Sequence, residues 1–205
     1  MINVREEASD WIRVGVLVAV WTTLLYITKT SLMINWNSVK QLPTVVTIYA
    51  TLSYAFTKWL WRIPLLQGWL VPFPDLQGTW QGEIRTAWKD PKTGRNGAPI
   101  PVVLVIKQNF IVITCTMHTI NSDSYSTAAQ LSQDADGTLR LTYNYTNRPK
   151  ATVRDRIAMH DGAAILRLVL HPKRCLEGEY WTNRQTMGDI CVKFRSRTLL
   201  EESTV

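Results

Sequence analysis

The sequence predicts a membrane-anchored all-β protein: two N-terminal transmembrane helices followed by an antiparallel up-and-down β-barrel of about eight strands. Three observations lead there. Two apolar stretches free of charge, Val14–Thr28 and Gln41–Thr57, come first. From Gly78 onward the hydrophobic period becomes two, in short segments with tight connections. Between them stands Leu76–Gly82, reading Leu-Gln-Gly-Thr-Trp-Gln-Gly, a Gly-x-Trp-x-Gly cluster suited to opening a small closed barrel. Trp80 is expected to point inward and plug one end, and Gly78 and Gly82 permit close approach of backbone or ring.

The 205 residues suffice for one domain with appendages, divided as a flap and helical hairpin over 1–62, a proline-rich linker over 63–75, the barrel over 76–198 and a tail over 199–205. The formal net charge is +7, spread over both halves. Such a mild excess suits a small anionic ligand or an anionic membrane surface, or serves solubility alone. No Lys/Arg stripe points to duplex nucleic acid. The three cysteines, Cys115, Cys175 and Cys191, lack metal-ligand spacing and fall in predicted strands, so they are read as small buried hydrophobes in a reducing compartment.

Met1–Asp10 reads as a polar flap. The two apolar stretches are each slightly short of the ~20 residues that span a bilayer. Arg13, Lys29, Lys40 and Lys58 can snorkel, and Trp11, Trp21, Tyr26, Trp59 and Trp61 fit an interfacial belt. The acidic cluster Glu6–Asp10 and the absence of an Ala-x-Ala site argue against a cleaved signal peptide. A buried soluble hairpin is the other alternative. Arg5, Arg13, Lys58 and Arg62 on the side of both chain ends orient the hairpin with the N-terminus and barrel cytoplasmic. Thr44, Thr47, Thr51, Tyr54 and Lys58 share one face of the second helix through steps of three and four. That seam serves either packing against the first helix or self-association. Arg62–Asp75, with Pro64, Pro72, Pro74, Trp69 and Phe73, is expected to lie on the bilayer or the barrel floor.

Strands follow in order. Trp80, Gly82, Ile84 and Thr86 share a face, and Lys89–Pro99 forms a basic loop. Val102–Lys107 and Phe110–His118 meet at Gln108-Asn109. Ser124–Ser132 ends at an Asp-Ala-Asp-Gly turn, and Leu139, Leu141, Tyr143 and Tyr145 alternate beyond it. Strand is expected to resume around Val153–His160, with His160-Asp161-Gly162 as a turn. Ala164–Leu170, the Leu176-x-Gly178-x-Tyr180-x-Thr182 segment and the Ile190-x-Val192-x-Phe194 segment complete the set. A closed barrel removes exposed edges.

No phosphate-binding Gly-rich loop, metal box or recognisable nucleophile is present, so neither enzyme activity nor a bound metal or cofactor is expected. His118, His160 and His171 are each expected in a solvated loop or turn. With strands alternating up and down, one mouth collects Trp88, His118–Asp123, Tyr145–Arg148 and Thr182-Asn183-Arg184-Gln185-Thr186. The candidate ligand residues are therefore Trp88, Tyr125, Tyr145, Arg148, Tyr180, Thr182, Asn183, Arg184 and Thr186. Aromatic rings there can stack on bases, and Arg148 and Arg184 can meet phosphates. Core packing is the competing role for the tyrosines, and satisfying loop carbonyls for Arg184.

Two helices, then Leu-x-Gly-Thr-Trp-x-Gly, then Leu176-x-Gly178-x-Tyr180-x-Thr182-Asn183-Arg184-x-Thr186-x-Gly188 before the last strand, with a His160-x-Gly162 turn, resemble one family along the whole chain. It is the two-transmembrane β-barrel effectors of bacterial cyclic-oligonucleotide-based antiphage signalling systems (CBASS). The resemblance implies a partner nucleotidyltransferase of the cGAS/DncV-like type (a CD-NTase). That enzyme would make a cyclic di- or trinucleotide, the barrel would bind it, and the effector would self-associate and breach the lipid bilayer of the bacterial inner membrane, causing abortive infection. A tethered lipocalin-like carrier of a lipid or other hydrophobe, and a protein-binding adaptor, are the alternatives.

Overall fold

The computed structural model describes residues 4–29, 36, 40–68, 70–89 and 94–200, with side chains from residue 14 onward. The chain divides into a helical unit ending at Pro72 and a barrel unit beginning at Phe73. Residues 1–3 of the expected flap, the side chain of Trp11, Trp69, residues 90–93 of the basic loop and the tail from 201 lie outside the described set.

The helical unit contains α1 (Val4–Ile27) and α2 (Leu42–Lys58). Residues 4–10, expected in the flap, are the first turns of α1. Pro43 sits in the first turn of α2, where a missing N–H costs no hydrogen bond. The helices pack on each other, with Leu25 and Val45 buried. After α2 two short 3-10 turns, Leu60–Arg62 and Pro64–Leu66, carry the chain onward.

Neither helix is long and apolar enough to cross a membrane among the described residues. This corrects the two transmembrane helices and the two-pass inner-membrane placement expected from the sequence. The reason is length after subtracting charge. The first turns of α1 carry Arg5, Glu6, Glu7, Asp10 and Arg13, leaving only the stretch from Val14 free of charge. The 17 residues of α2 rise about 26 Å, short of a hydrocarbon core of about 30 Å. The polar seam does not face α1: Thr44, Thr47, Thr51, Tyr54 and Lys58 are all exposed. Thr47 and Thr51 donate to the carbonyls of Pro43 and Thr47 at 2.9 and 2.8 Å, so their hydroxyls are satisfied within the helix.

The barrel unit has β1 (Gly78–Thr86), β2 (Ile100–Gln108), β3 (Ile113–His118), β4 (Ser122–Gln133), β5 (Leu139–Pro149), β6 (His160–Val169), β7 (Cys175–Thr182) and β8 (Met187–Ser196). Each pairs antiparallel with its neighbour, and β1 pairs with β8 to close the barrel. Trp80 lies opposite Leu104 on one side and Phe194 on the other, so closure runs through its own position. Inward residues follow the period-two reading: Leu104, Leu141, Leu166, Leu176 and Val192 are inaccessible to solvent.

One segment departs from expectation. Residues 151–157 are not strand: Ala151–Val153 is a 3-10 turn, and Val153 accepts from the amides of Arg156 and Ile157. His160-Asp161-Gly162 is no turn but the start of β6, in register with Asn147, Thr146 and Tyr145. The strand expected around Val153 does not form, because its backbone groups bond locally to Lys150, Arg156 and Ile157 and not to a neighbouring strand.

The lower end is closed by Trp80 and its supports. The Trp80 indole N–H donates to Leu76 O at 3.0 Å, and its ring meets Phe194 edge-on at 5.3 Å. The Arg174 guanidinium lies 5.3 Å from the Trp80 ring centre and donates to Asp75 O. Gln108 at the end of β2 accepts from Leu76 N at 2.7 Å and donates to Pro74 O at 3.2 Å. Replacing Trp80 by Ala should lower stability by about 3–5 kcal/mol. Urea denaturation of the full chain followed by circular dichroism checks this, and an unchanged midpoint would show that the plug is dispensable.

Candidate functional site

The inward face changes character along the barrel. Its lower half is filled by leucine, valine and Trp80, whereas its upper half carries Ser124, Tyr145, Asn147, Tyr180, Thr182 and Thr186. A cavity of about 200 Å³ opens there, at the end opposite Trp80. Its apolar walls are Ile84, Ile100, Met117, Ile157 and Ile190. A lipocalin-like carrier needs a wide apolar chamber, and the filled lower half does not supply one.

Two glycines make room for the rings. Tyr145 lies in register with Gly162, and a Cβ there would come within 2.5 Å of its phenol. Tyr180 lies in register with Gly188, where a Cβ would come within 2.9 Å of its ring and 2.2 Å of Arg85 O. The rings therefore lie against bare backbone instead of filling the space above it. Tyr143 and Tyr145 stand 5.9 Å apart, centre to centre. Burial raises the phenol pKa of both, Tyr145 to about 12, so both remain neutral donors at physiological pH.

A polar row crosses the wall from β4 to β6. Ser124 Oγ donates to Asn147 Oδ1 at 3.3 Å, and Asn147 Nδ2 donates to His160 Nε2 at 3.3 Å. His160 Nδ1 lies 3.0 Å from Ala158 O and donates to it, which leaves Nε2 facing the Asn147 amide. The Asn147 side chain is buried and uses one acceptor and one donor in this row. Across the mouth, the Thr182 and Thr186 hydroxyls are 2.7 Å apart. Thr182 Oγ1 also accepts from the amides of Arg184 and Thr186, closing the β7–β8 turn.

Of the nine candidate residues, Tyr145, Tyr180, Thr182 and Thr186 line the cavity. The other five do not. Trp88 is exposed beyond β1, with its amide held by Thr86. Tyr125 alternates with the cavity-lining Ser124, and Arg148 stacks on the Tyr125 ring at 5.6 Å, away from the cavity. Asn183 and Arg184 stand on the β7–β8 turn at the rim, where Asn183 N donates to Asp161 O at 2.9 Å.

Two histidines depart from the expected solvated setting. His118 is buried, and its Nδ1 is 2.8 Å from Asp123 Oδ1. His160 lines the cavity. Asn147, His160 and Ser124 were missed as candidates. The alternation Tyr143-x-Tyr145-x-Asn147 already placed Asn147 on the inner face. His160 was missed because the start of β6 was read as a turn. Cys115 is buried in the core, which raises its thiol pKa and leaves it unreactive, and all three cysteines are free.

Tyr145 yields a pH prediction. Its folded pKa lies above the unfolded value near 10, so the unfolded chain loses this proton first as pH rises. Its contribution to stability is complete below about pH 10 and is lost as pH climbs toward about 12. Urea midpoints measured across that window should fall, and should fall less steeply in Tyr145→Phe; identical slopes would contradict the burial of this phenol.

Comparison with known proteins converges on this barrel. The family model for the Cap15 cyclic dinucleotide receptor domain matches residues 71–193. A CD-NTase-associated protein 15 from Staphylococcus schleiferi is 24% identical over 170 residues, covering 83% of this chain and 86% of the relative. One of the same name from Escherichia albertii is 26% identical over 149 residues, covering 71% of this chain and 72% of the relative. The matched span takes in β1 to β7, β8 as far as Lys193, and every side chain around the cavity. The chain thus belongs to the Cap15 cyclic dinucleotide receptor family, the CBASS effectors that its motif order resembled.

Proposed function

We propose that the upper cavity is the messenger site of a CBASS effector, receiving a cyclic dinucleotide made by a partner CD-NTase. The observation that carries this reading is the cavity between Tyr145 and Tyr180, with the Ser124–Asn147–His160 row on its wall. Phenol rings beside bare backbone offer stacking surfaces for a base. Asparagine and threonine offer donors and acceptors to its edge. Of the cyclic di- and trinucleotides that the resemblance implies, the family description favours the dinucleotide. The protein acts as a receptor and not as an enzyme.

The output is self-association followed by damage to a lipid bilayer. Exposed apolar side chains crowd the helical unit: Val14, Val18, Ile27, Val46, Leu52 and Leu65. Such a surface suits contact with lipid or with further copies, and it does not require either helix to span the bilayer. The hydroxyl seam Thr44–Thr47–Thr51–Tyr54 is the proposed contact between copies. A messenger drives assembly only by its preference for the assembled state, so the assembly binds it more tightly than the monomer does.

A thermal-shift panel of cyclic dinucleotides on the full chain tests the ligand. At least one member should raise the melting temperature; none doing so would remove the receptor site from this cavity. Asn147→Ala should weaken that binding by about 1–2 kcal/mol, read by calorimetry. Thr47→Leu with Thr51→Leu should leave binding intact while reducing oligomer size in sedimentation. Undiminished size would take the seam out of the interface. Dye release from lipid vesicles should require the messenger, and release without it would contradict gating.

A further inference from the structure

The cavity and its rim differ sharply in charge. Among the described residues, no Lys, Arg, Asp or Glu lines the cavity. Its volume, about 200 Å³, lies below the ~300–1,000 Å³ of sites that enclose a drug-sized ligand. It can take one planar base but not a whole cyclic dinucleotide. A phosphate diester brought inside would lose its water with no cation to replace it.

Cations stand instead on the connection between β5 and β6. Residues 150–159 carry Lys150, Arg154 and Arg156, all exposed, against one acid, Asp155. The Asp155–Arg156 pair is loose, at 3.9 Å with both side chains largely in solvent. Such a pair holds little of the arginine's charge. The connection is anchored at the mouth. Lys150 N donates to Asn121 O in the β3–β4 turn at 2.9 Å, and Ile157 forms part of the cavity wall. Its backbone is ordered by the Ala151–Val153 turn, and Arg154 Nε donates to Pro149 O at 3.1 Å. Arg148, the nearest cation before it, is engaged with Tyr125 away from the cavity.

We propose that one base of the messenger enters the uncharged cavity while the phosphates stay outside, held by Lys150, Arg154 and Arg156. This rests on the receptor reading above and adds a division of labour to it. The Tyr145–Tyr180 cavity selects the base, and the β5–β6 connection supplies the attraction to the anionic ring. Charge outside the cavity meets phosphates that keep part of their hydration, so this attraction is sensitive to salt. Recognition of the base within the cavity is not.

Calorimetric titration of the full chain with a panel of cyclic dinucleotides of differing bases and linkages, at low and high salt, tests this. The combined variant Lys150→Ala, Arg154→Ala, Arg156→Ala should bind the tightest panel member at least tenfold more weakly at low salt and lose most of the salt dependence. Lys173→Ala, at the opposite end of the barrel, controls for the loss of a distant surface cation and should match the wild type. Asn147→Ala should alter the ranking of bases while keeping the salt dependence. Wild-type affinity and salt dependence in the triple variant would overturn the proposal, as would a loss confined to Arg184→Ala. A wild-type chain that binds no panel member would instead remove the receptor reading itself. Unchanged melting temperatures of the ligand-free variants establish that the surface changes leave the fold intact.

Discussion

The Trp80 indole sits at the seam where eight strands close on themselves, opposite Leu104 on one flank and Phe194 on the other. It is wholly buried, and its one polar atom is satisfied by Leu76 O. Burying an indole without that bond would forfeit part of what its area contributes. The lower end is tied down by contacts far apart in sequence. Gln108 grips the entering chain at Pro74 and Leu76, Arg174 covers the ring, and Thr79 Oγ1 donates to Thr198 O beyond the last strand. Closure and plugging are therefore one event, and neither half of the barrel is complete without it.

The plug also determines where a ligand can go. Leucine, valine and tryptophan exclude water from the lower interior, so the only open interior space described lies above. There the inward positions change to tyrosine, serine, asparagine and threonine, and glycine stands opposite the two rings that flank the opening. A small, uncharged, polar-edged cavity suits a base better than an acyl chain. The family match covers this same span and describes a cyclic dinucleotide receptor domain.

The barrel was largely legible in the sequence because strand alternation is a local property. Leu139, Leu141, Tyr143 and Tyr145 share one face on spacing alone, and Leu141, Tyr143 and Tyr145 are buried. The site was less legible. Tyr145, Tyr180, Thr182 and Thr186 follow from the same alternation. Arg148 does not: it lies one residue past the inner-face Asn147, so the pleat sends it away from the cavity. His160 was misassigned because its strand pairing depends on β5, thirteen residues upstream. The helical unit misled for another reason. The charge-free windows suggested spans, but α1 extends back through charged residues and α2 stops at Lys58.

By itself the sequence determined the eight strands, with a ninth expected over Val153–His160 that the structure does not form, the inward set with its Trp80 plug, and a motif order that resembles one family of receptors. These are carried by the identities of residues two apart, which need no partner strand to be read. Tertiary structure alone decided the rest. Closure placed Ser124, Asn147 and His160 from three strands in one row, with the last 3.3 Å from the second. It also brought Ile157 of a non-strand connection onto the cavity wall. Those juxtapositions depend on strand register and on loop hydrogen bonds such as Lys150 N to Asn121 O, which no local pattern encodes.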